Sequence, residues 1–252
     1  MNPKSLRQIH LDKTGKVSDK WESYFDFYDS AFAPFAASDL SLLEIGIQNG
    51  GSLETYATYF QHARRLVGCD INERCAQLVY DDPRIQVVVG DANTDATQQR
   101  IMQIAPQFDI IIDDGSHVSI DILNSFVRYF PLLSPGGLFV IEDSHTLYSR
   151  NYGGGLWNEF SATHFFKKLV DVVNHEWWQQ DTTLDHFLST FFLKGVPAFI
   201  QEGWVESIEF RNSIIAIRKA KRPGHEKLGR RLICGTRADV VELAGKVSPS
   251  PL

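Results

Sequence analysis

Leu42-Leu43-Glu44-Ile45-Gly46 followed by Gly50-Gly51-Ser52 is the stretch from which the fold can be read. An apolar run of strand length gives way to glycines, and a helical pattern follows over 52–60. The unit then repeats. Arg65-Leu66-Val67-Gly68-Cys69-Asp70 is a second strand, and Asn72 is placed to cap a helix over 72–80. The β-branched run 85–89 ends in Gly90-Asp91, and 94–104 has helical period. Residues 108–113 form a fourth strand, and 118–130 a helix stopped by Pro131. A fifth strand over 137–142 follows the Ser134-Pro135-Gly136 turn. Strands spaced this way and separated by helices predict βαβ units and a parallel sheet covered on both faces.

The flanks are of another kind. Residues 1–38 carry Trp21, Tyr24, Phe25, Phe27, Tyr28, Phe32 and Phe35 at a spacing that predicts one helix packed on the body. Helical stretches are expected near 158–176 and 182–193 within an insert over 146–203. The runs 205–210 and 213–218, divided only by Arg211-Asn212, predict an antiparallel hairpin. The expected organisation is therefore an N-terminal helical segment, a doubly wound Rossmann-like α/β domain over 39–219 with that insert, and a tail over 220–252. The tail ends in Lys246-Val247-Ser248-Pro249-Ser250-Pro251-Leu252, which predicts disorder there.

Apolar residues make up 43% of the 252 and charged residues 22%, the composition of a packed globule. A net charge of −6 argues against nucleic acid as a principal partner. No apolar run approaches bilayer-spanning length, and MNPKSLRQIHLDK lacks a signal peptide's apolar stretch. The three cysteines (Cys69, Cys75 and Cys234) suit a reducing compartment better than a disulfide framework, so a cytoplasmic protein is expected.

In a doubly wound sheet, ligands bind beyond the carboxyl ends of the strands. Four successive strands end here in carboxylates or glycine turns: Glu44-x-Gly46 with Gly50-Gly51, then Asp70, Gly90-Asp91 and Asp113-Asp114. The glycines admit a ligand to the backbone and the next helix N-terminus. Asp70 is placed for the hydroxyls of a ribose and Asp91 for an adenine amino group. Each acid could instead cap a helix. An NAD site would normally show G-x-G-x-x-G, and Gln48 stands where the second glycine belongs.

Glu44-Ile45-Gly46, Asp70 and Gly90-Asp91 resemble the binding residues of class I S-adenosylmethionine-dependent methyltransferases, and the terminal hairpin is similar to that fold's last two strands. The resemblance covers roughly residues 40–145 and 204–219. It implies a sheet of seven strands, with Glu44 and Gly46 near the methionine moiety, Asp70 at the ribose and Asp91 near adenine, and Asp113 counted with the cofactor side. The commonest E/D-x-G-x-G-x-G form is not kept.

The reacting end is read from Ile112-Asp113-Asp114-Gly115-Ser116-His117 and Ile141-Glu142-Asp143-Ser144-His145. Each lies at the carboxyl end of a strand, and the two strands are expected to be neighbours. Asp114, Glu142 and Asp143 can then converge, and carboxylates without cysteine suit a hard cation such as Mg²⁺. The alternative is that Asp113 and Glu142 cap helices while Asp143 is solvated. His117, three residues past Asp114, is placed as a general base for a hydroxyl, with His145 as competitor.

These paired motifs resemble metal-dependent sugar O-methyltransferases of macrolide biosynthesis, the mycinamicin and macrocin type, and the cephalosporin-hydroxylase-like group. Ser18-Asp19-Lys20 with Tyr24 and Tyr28 is similar to a segment N-terminal to the core in the sugar group. Catechol-type methyltransferases are similar too, with a lysine three residues after the first aspartate. The resemblance implies Asp114, Glu142 and Asp143 as metal ligands and His117 as base. The expected function is S-adenosylmethionine- and Mg²⁺-dependent O-methylation of a hydroxyl on a sugar or glycosylated small molecule. An NAD-dependent oxidoreductase and a non-catalytic binding module are the competing readings. No nucleic-acid or membrane partner is expected, and a homo-oligomer is compatible with the sequence. The loop Gly153-Gly154-Gly155 with Trp157 reads equally as a lid or as a surface turn beside a packed aromatic.

Overall fold

The computed structural model describes residues 4–237 and residue 240. The elements run α1 (Leu6–Leu11), α2 (Glu22–Phe32), β1 (Ser41–Ile45), α3 (Gly51–Tyr59), β2 (Arg65–Asp70), β3 (Ile85–Val89) and α4 (Asp95–Ile104). Then follow β4 (Phe108–Asp113), α5 (Ser119–Tyr129), β5 (Leu133–Ile141), α6 (Ala162–Val173), α7 (Leu184–Phe187), α8 (Ala198–Gln201), β6 (Val205–Arg211) and β7 (Ile214–Lys219). The seven strands form one sheet in the order β3-β2-β1-β4-β5-β7-β6. The first five are parallel, and β7 runs antiparallel to both β5 and β6. This is the expected doubly wound α/β architecture with its C-terminal hairpin.

Period-two alternation divides the apolar strand residues between two cores. Leu43, Ile45, Val67, Cys69, Ile111, Phe139 and Ile141 face α4, α5 and α6, where Phe126, Phe165 and Phe166 are fully buried. Leu42, Leu66, Ile110, Ile112, Leu138 and Val140 face α2 and α3, against Tyr24, Phe27, Tyr28 and Phe32. Because β1 lies between β2 and β4, the chain leaves it toward one side of the sheet and returns on the other. The crevice beyond their carboxyl ends is the topological switch point.

Several local expectations are corrected. The aromatic run forms one helix, α2, as expected, but a further short helix, α1, precedes it across an irregular stretch over 13–20, where Gly15 and the Lys-rich run carry no apolar stripe. Asn72 does cap a turn, accepting from the Arg74 amide, but the predicted helix over 72–80 is only a 3₁₀ turn, Glu73–Gln77. Ser134-Pro135-Gly136 lies within β5 and not in a turn before it, with an irregularity in the β4 pairing between Phe108 and Ile110. Of the helices expected in the insert, the first shortens to α6 and the second to α7. Trp157 is 89% exposed, so it is not a packed core aromatic. The predicted disorder over 246–252 lies outside the described residues.

Candidate active site

A cavity of about 490 Å³ opens along the carboxyl edge of β1 to β4, a size usual for small-molecule sites. Glu44, Gly46, Asp70, Asp91, Asp113, Asp114, His117 and Asp143 all contribute to its wall. Residues 17–20, from the irregular stretch before α2, complete it.

The glycines serve the loop's crowding. Gly46 has φ +83°, and a Cβ there would run into the Asp114 carbonyl oxygen. At Gly51 a Cβ would meet the backbone carbonyls of Lys16 and Val17, so the N-terminal stretch can cross the start of α3 only over a glycine. Its amide donates to the Val17 carbonyl at 3.2 Å.

The Asp70 carboxylate accepts from the amides of Ile47 (3.0 Å) and Gln48 (2.9 Å) through Oδ2, and from Asn72 (2.8 Å) through Oδ1. It therefore shapes the loop after β1 while lining the cavity. Asp91 accepts from the Asn93 amide at 2.8 Å. Asp113 is buried: Oδ1 accepts from the Gly115 amide at 3.2 Å, while Oδ2 is enclosed without a partner. Burial pushes its carboxyl up to about 6. Asn93 Oδ1 and Ser125 Oγ are likewise buried without partners, and both residues line the same cavity. These atoms are enclosed, and the Ser125 hydroxyl beside Asp113 opposes the rise that burial causes in its carboxyl.

At the reacting end, Asp114, His117 and Asp143 each bring one ligand atom within 4.8 Å of the others. His117 Nε2 is 3.8 Å from Asp143 Oδ2. Glu142, which the sequence grouped with Asp114 and Asp143, is placed differently. It is 1% exposed, and its carboxylate accepts from Lys20 Nζ at 2.9 Å and from the Tyr28 hydroxyl at 2.5 Å. Burial raises the Glu142 carboxyl, and the Lys20 charge opposes that rise. Lys20 also reaches Asp114 Oδ2 at 2.7 Å and Glu44 Oε1 at 3.4 Å. Burial would lower its pKa, but Glu142, Tyr56, Asp114 and Glu44 together hold the ammonium well above its ordinary value. Glu44 further accepts from the Ser52 hydroxyl and, at 3.4 Å, from Tyr56.

Helix α2 grips Asp143. Its Oδ1 accepts from the Tyr24 hydroxyl at 2.6 Å and from the Trp21 indole at 3.1 Å, and its amide donates to the Tyr24 oxygen at 2.9 Å. His145 is half-exposed, its Nδ1 2.6 Å from Ser213 Oγ and 3.9 Å from Asp143 Oδ1. Neither Asp113 nor Glu142 caps a helix: α5 has Val118 at its N-cap and the 3₁₀ turn Ser144–Tyr148 has Asp143, both without a side-chain cap. Among the described residues, four non-glycine residues have φ in the left-handed region, namely Gln48, His117, Asp143 and Ser213. All four belong to this sheet edge. Backbone strain of about 1–3 kcal/mol per residue is therefore concentrated where the titratable groups meet.

The role of α2 is the feature that residue patterns alone did not give. The aromatic spacing predicted packing, and only the similarity of Ser18-Asp19-Lys20, Tyr24 and Tyr28 to the sugar group pointed to this segment.

An open α/β sheet in the order above, with this glycine loop and an acidic rim, is the architecture of methyltransferases. Residues 43–144 match the family described as "Methyltransferase domain", so the chain carries such a domain. Across 84% of its length the chain is 31% identical to the 8-demethyl-8-α-L-rhamnosyl tetracenomycin-C 2'-O-methyltransferase of Streptomyces olivaceus, covering 55% of that protein. It is 35% identical over 159 residues to the mycinamicin VI 2''-O-methyltransferase of Micromonospora griseorubida, which is 59% of this chain and 39% of that one. The chain thus spans about half the length of the curated relatives it matches. In fold it is similar to the MycE methyltransferase of the mycinamycin pathway solved with Mg and SAH. The TM-score is 0.70 at 25% identity, over 87% of this chain and 54% of that one. No helix among the described residues is long and apolar enough to cross a membrane.

Proposed function

We propose that this protein methylates a hydroxyl of a sugar on a glycosylated small molecule, with S-adenosylmethionine as donor and a divalent cation, Mg²⁺ by its oxygen donors, as helper. The observation that carries the reading is the meeting of Asp114, His117 and Asp143 at the rim of the cavity lined by Glu44, Gly46, Asp70 and Asp91. It is supported by similarity over most of the chain to a sugar O-methyltransferase.

Glu44 and Gly46 face the methionine end of the donor, Asp70 its ribose and Asp91 its adenine, with Asp113 behind them. The cation group fits the donor set: hard carboxylate oxygens from Asp114 and Asp143, with an imidazole beside them and no thiolate. Glu142, whose carboxylate Lys20 holds, would join by sharing that carboxylate between Lys20 and the cation. When bound, the cation supplies Lewis acidity that lowers the pKa of an alcohol. His117 takes the hydroxyl proton as the oxygen forms its bond to the methyl carbon and the carbon–sulfur bond breaks. S-adenosylhomocysteine and an ether remain. Tyr24 and Trp21 keep Asp143 oriented, and His145, held by Ser213, is the competing base.

Calorimetric titration with S-adenosylhomocysteine and with NAD, each with and without Mg²⁺, tests the cofactor. Transfer of labelled methyl to a panel of rhamnosides and other deoxysugar glycosides tests the acceptor. Binding of S-adenosylhomocysteine but not NAD, with label transferred only when Mg²⁺ is present, is expected. Tight NAD binding, or full transfer in excess EDTA, would overturn the respective half of the reading.

A further inference from the structure

Lys20 is the only lysine or arginine among the described residues that line the cavity, and its side chain is 7% exposed. Its ammonium meets oxygens from three strand ends: Glu44 on β1 at 3.4 Å, Asp114 after β4 at 2.7 Å, and both oxygens of Glu142 after β5 at 2.9 Å. A buried lysine with a single acidic partner would be an ordinary ion pair. Four carboxylate oxygens gathered on one nitrogen are the surroundings of an ion.

Asp114 is the hinge of the arrangement, because it belongs both to the shell of Lys20 and to the group with His117 and Asp143. Two-metal centres share this plan, with carboxylates bridging cations about 3.5–4 Å apart. We propose that Lys20 is the resident second cation of such a centre, a tethered point charge that confines the site to one divalent ion. The proposal rests on the cation reading above and adds the number of ions held and the group that sets it.

The role is one of positioning. Lysine is a compact charge on a flexible stem, so it can take an ion's place without imposing a fork's geometry. Its single charge also offsets part of the charge that Glu142 and Glu44 would carry before any divalent ion arrives. Truncating Lys20 would leave its four oxygens facing vacated space, a hard-donor set suited to a second hard cation.

Equilibrium dialysis with Mn²⁺, read together with electron paramagnetic resonance on the full chain, tests this. Wild type and Lys20→Arg are expected to hold one Mn²⁺ per chain with an uncoupled spectrum. Lys20→Ala is expected to hold two, with the broadened spectrum of neighbouring spins. A folded Lys20→Ala protein holding one Mn²⁺, or none, overturns the proposal and leaves the cation reading standing on the wild type. Two coupled Mn²⁺ in the wild type also overturns it, and that measurement does not depend on the variant folding. No Mn²⁺ in the wild type, with or without S-adenosylhomocysteine, would sink the cation reading itself and this proposal with it.

Discussion

At the residue scale, the site depends on side chains whose backbones are held in costly conformations. His117 and Asp143 both have left-handed φ, which turns their side chains toward one point. Replacing His117 by Ala should lower kcat about 10²–10⁴-fold, the usual worth of a general base. Affinity for S-adenosylhomocysteine, measured by titration, should stay within twofold. A mutant with wild-type turnover would move the role elsewhere. Gly46→Ala combines a strained φ with collision against the Asp114 carbonyl, and should cost about 2–4 kcal/mol in urea unfolding. Cysteine chemistry gives a pH test. Burial pushes the Cys69 thiol up to about 12 and raises Cys75 as well, whereas Cys234 is exposed. An acid whose folded pKa is raised stays protonated until the pH passes that value. At pH 8, a thiol reagent should therefore label Cys234 rapidly and the other two only on unfolding; fast labelling of all three would contradict the packing around β2.

At the element scale, α2 does two jobs with one face. It buries Tyr24, Phe27, Tyr28 and Phe32 against the sheet. The hydroxyl of Tyr24 also reaches Asp143 and the hairpin residue Ser213, 2.7 Å away. Tyr24→Phe removes a donor to the Asp143 carboxylate and an acceptor for its amide. Urea unfolding should report a loss of about 1–3 kcal/mol, the cost of leaving buried polar groups unpaired. Mn²⁺ affinity should fall as well, because Asp143 is no longer held. On the opposite face, Phe126 of α5 stacks among Phe130, Phe139, Phe165, Phe166 and Phe199. Phe126→Ala should cost about 3–5 kcal/mol. Cofactor affinity of the folded fraction should hold, since this core lies behind the sheet and not at its carboxyl edge.

For the whole molecule, the acidic rim lies at the sheet's edge, outside the two apolar cores. Folding and cation binding should therefore separate. Treating the protein with excess EDTA is expected to leave its far-UV circular dichroism unchanged while abolishing methyl transfer. Collapse of the spectrum in EDTA would mean that the cation belongs to the fold.

The sequence by itself determined five parallel strands, the pairing of the fourth with the fifth, and which strand ends carry acids. Those are local quantities: apolar runs of strand length, glycine and proline stops, and carboxylates immediately after them. Helix ends in the flanks were less legible: of the insert over 146–203, α6 packs on α5 and β6, contacts that periodicity does not announce. The partners of each carboxylate were decided by tertiary structure alone. Glu142 and Asp143 are adjacent in the chain, so spacing offered no reason to separate them. The fold sends one to Lys20, 122 residues away, and leaves the other beside His117. A left-handed turn at Asp143 divides their side chains, and the N-terminal stretch brings to the buried side Lys20, the only lysine among the described residues that line the cavity. Charge pairing across such separations depends on where the sheet carries the chain, because electrostatic energy follows distance in space and not position along the sequence.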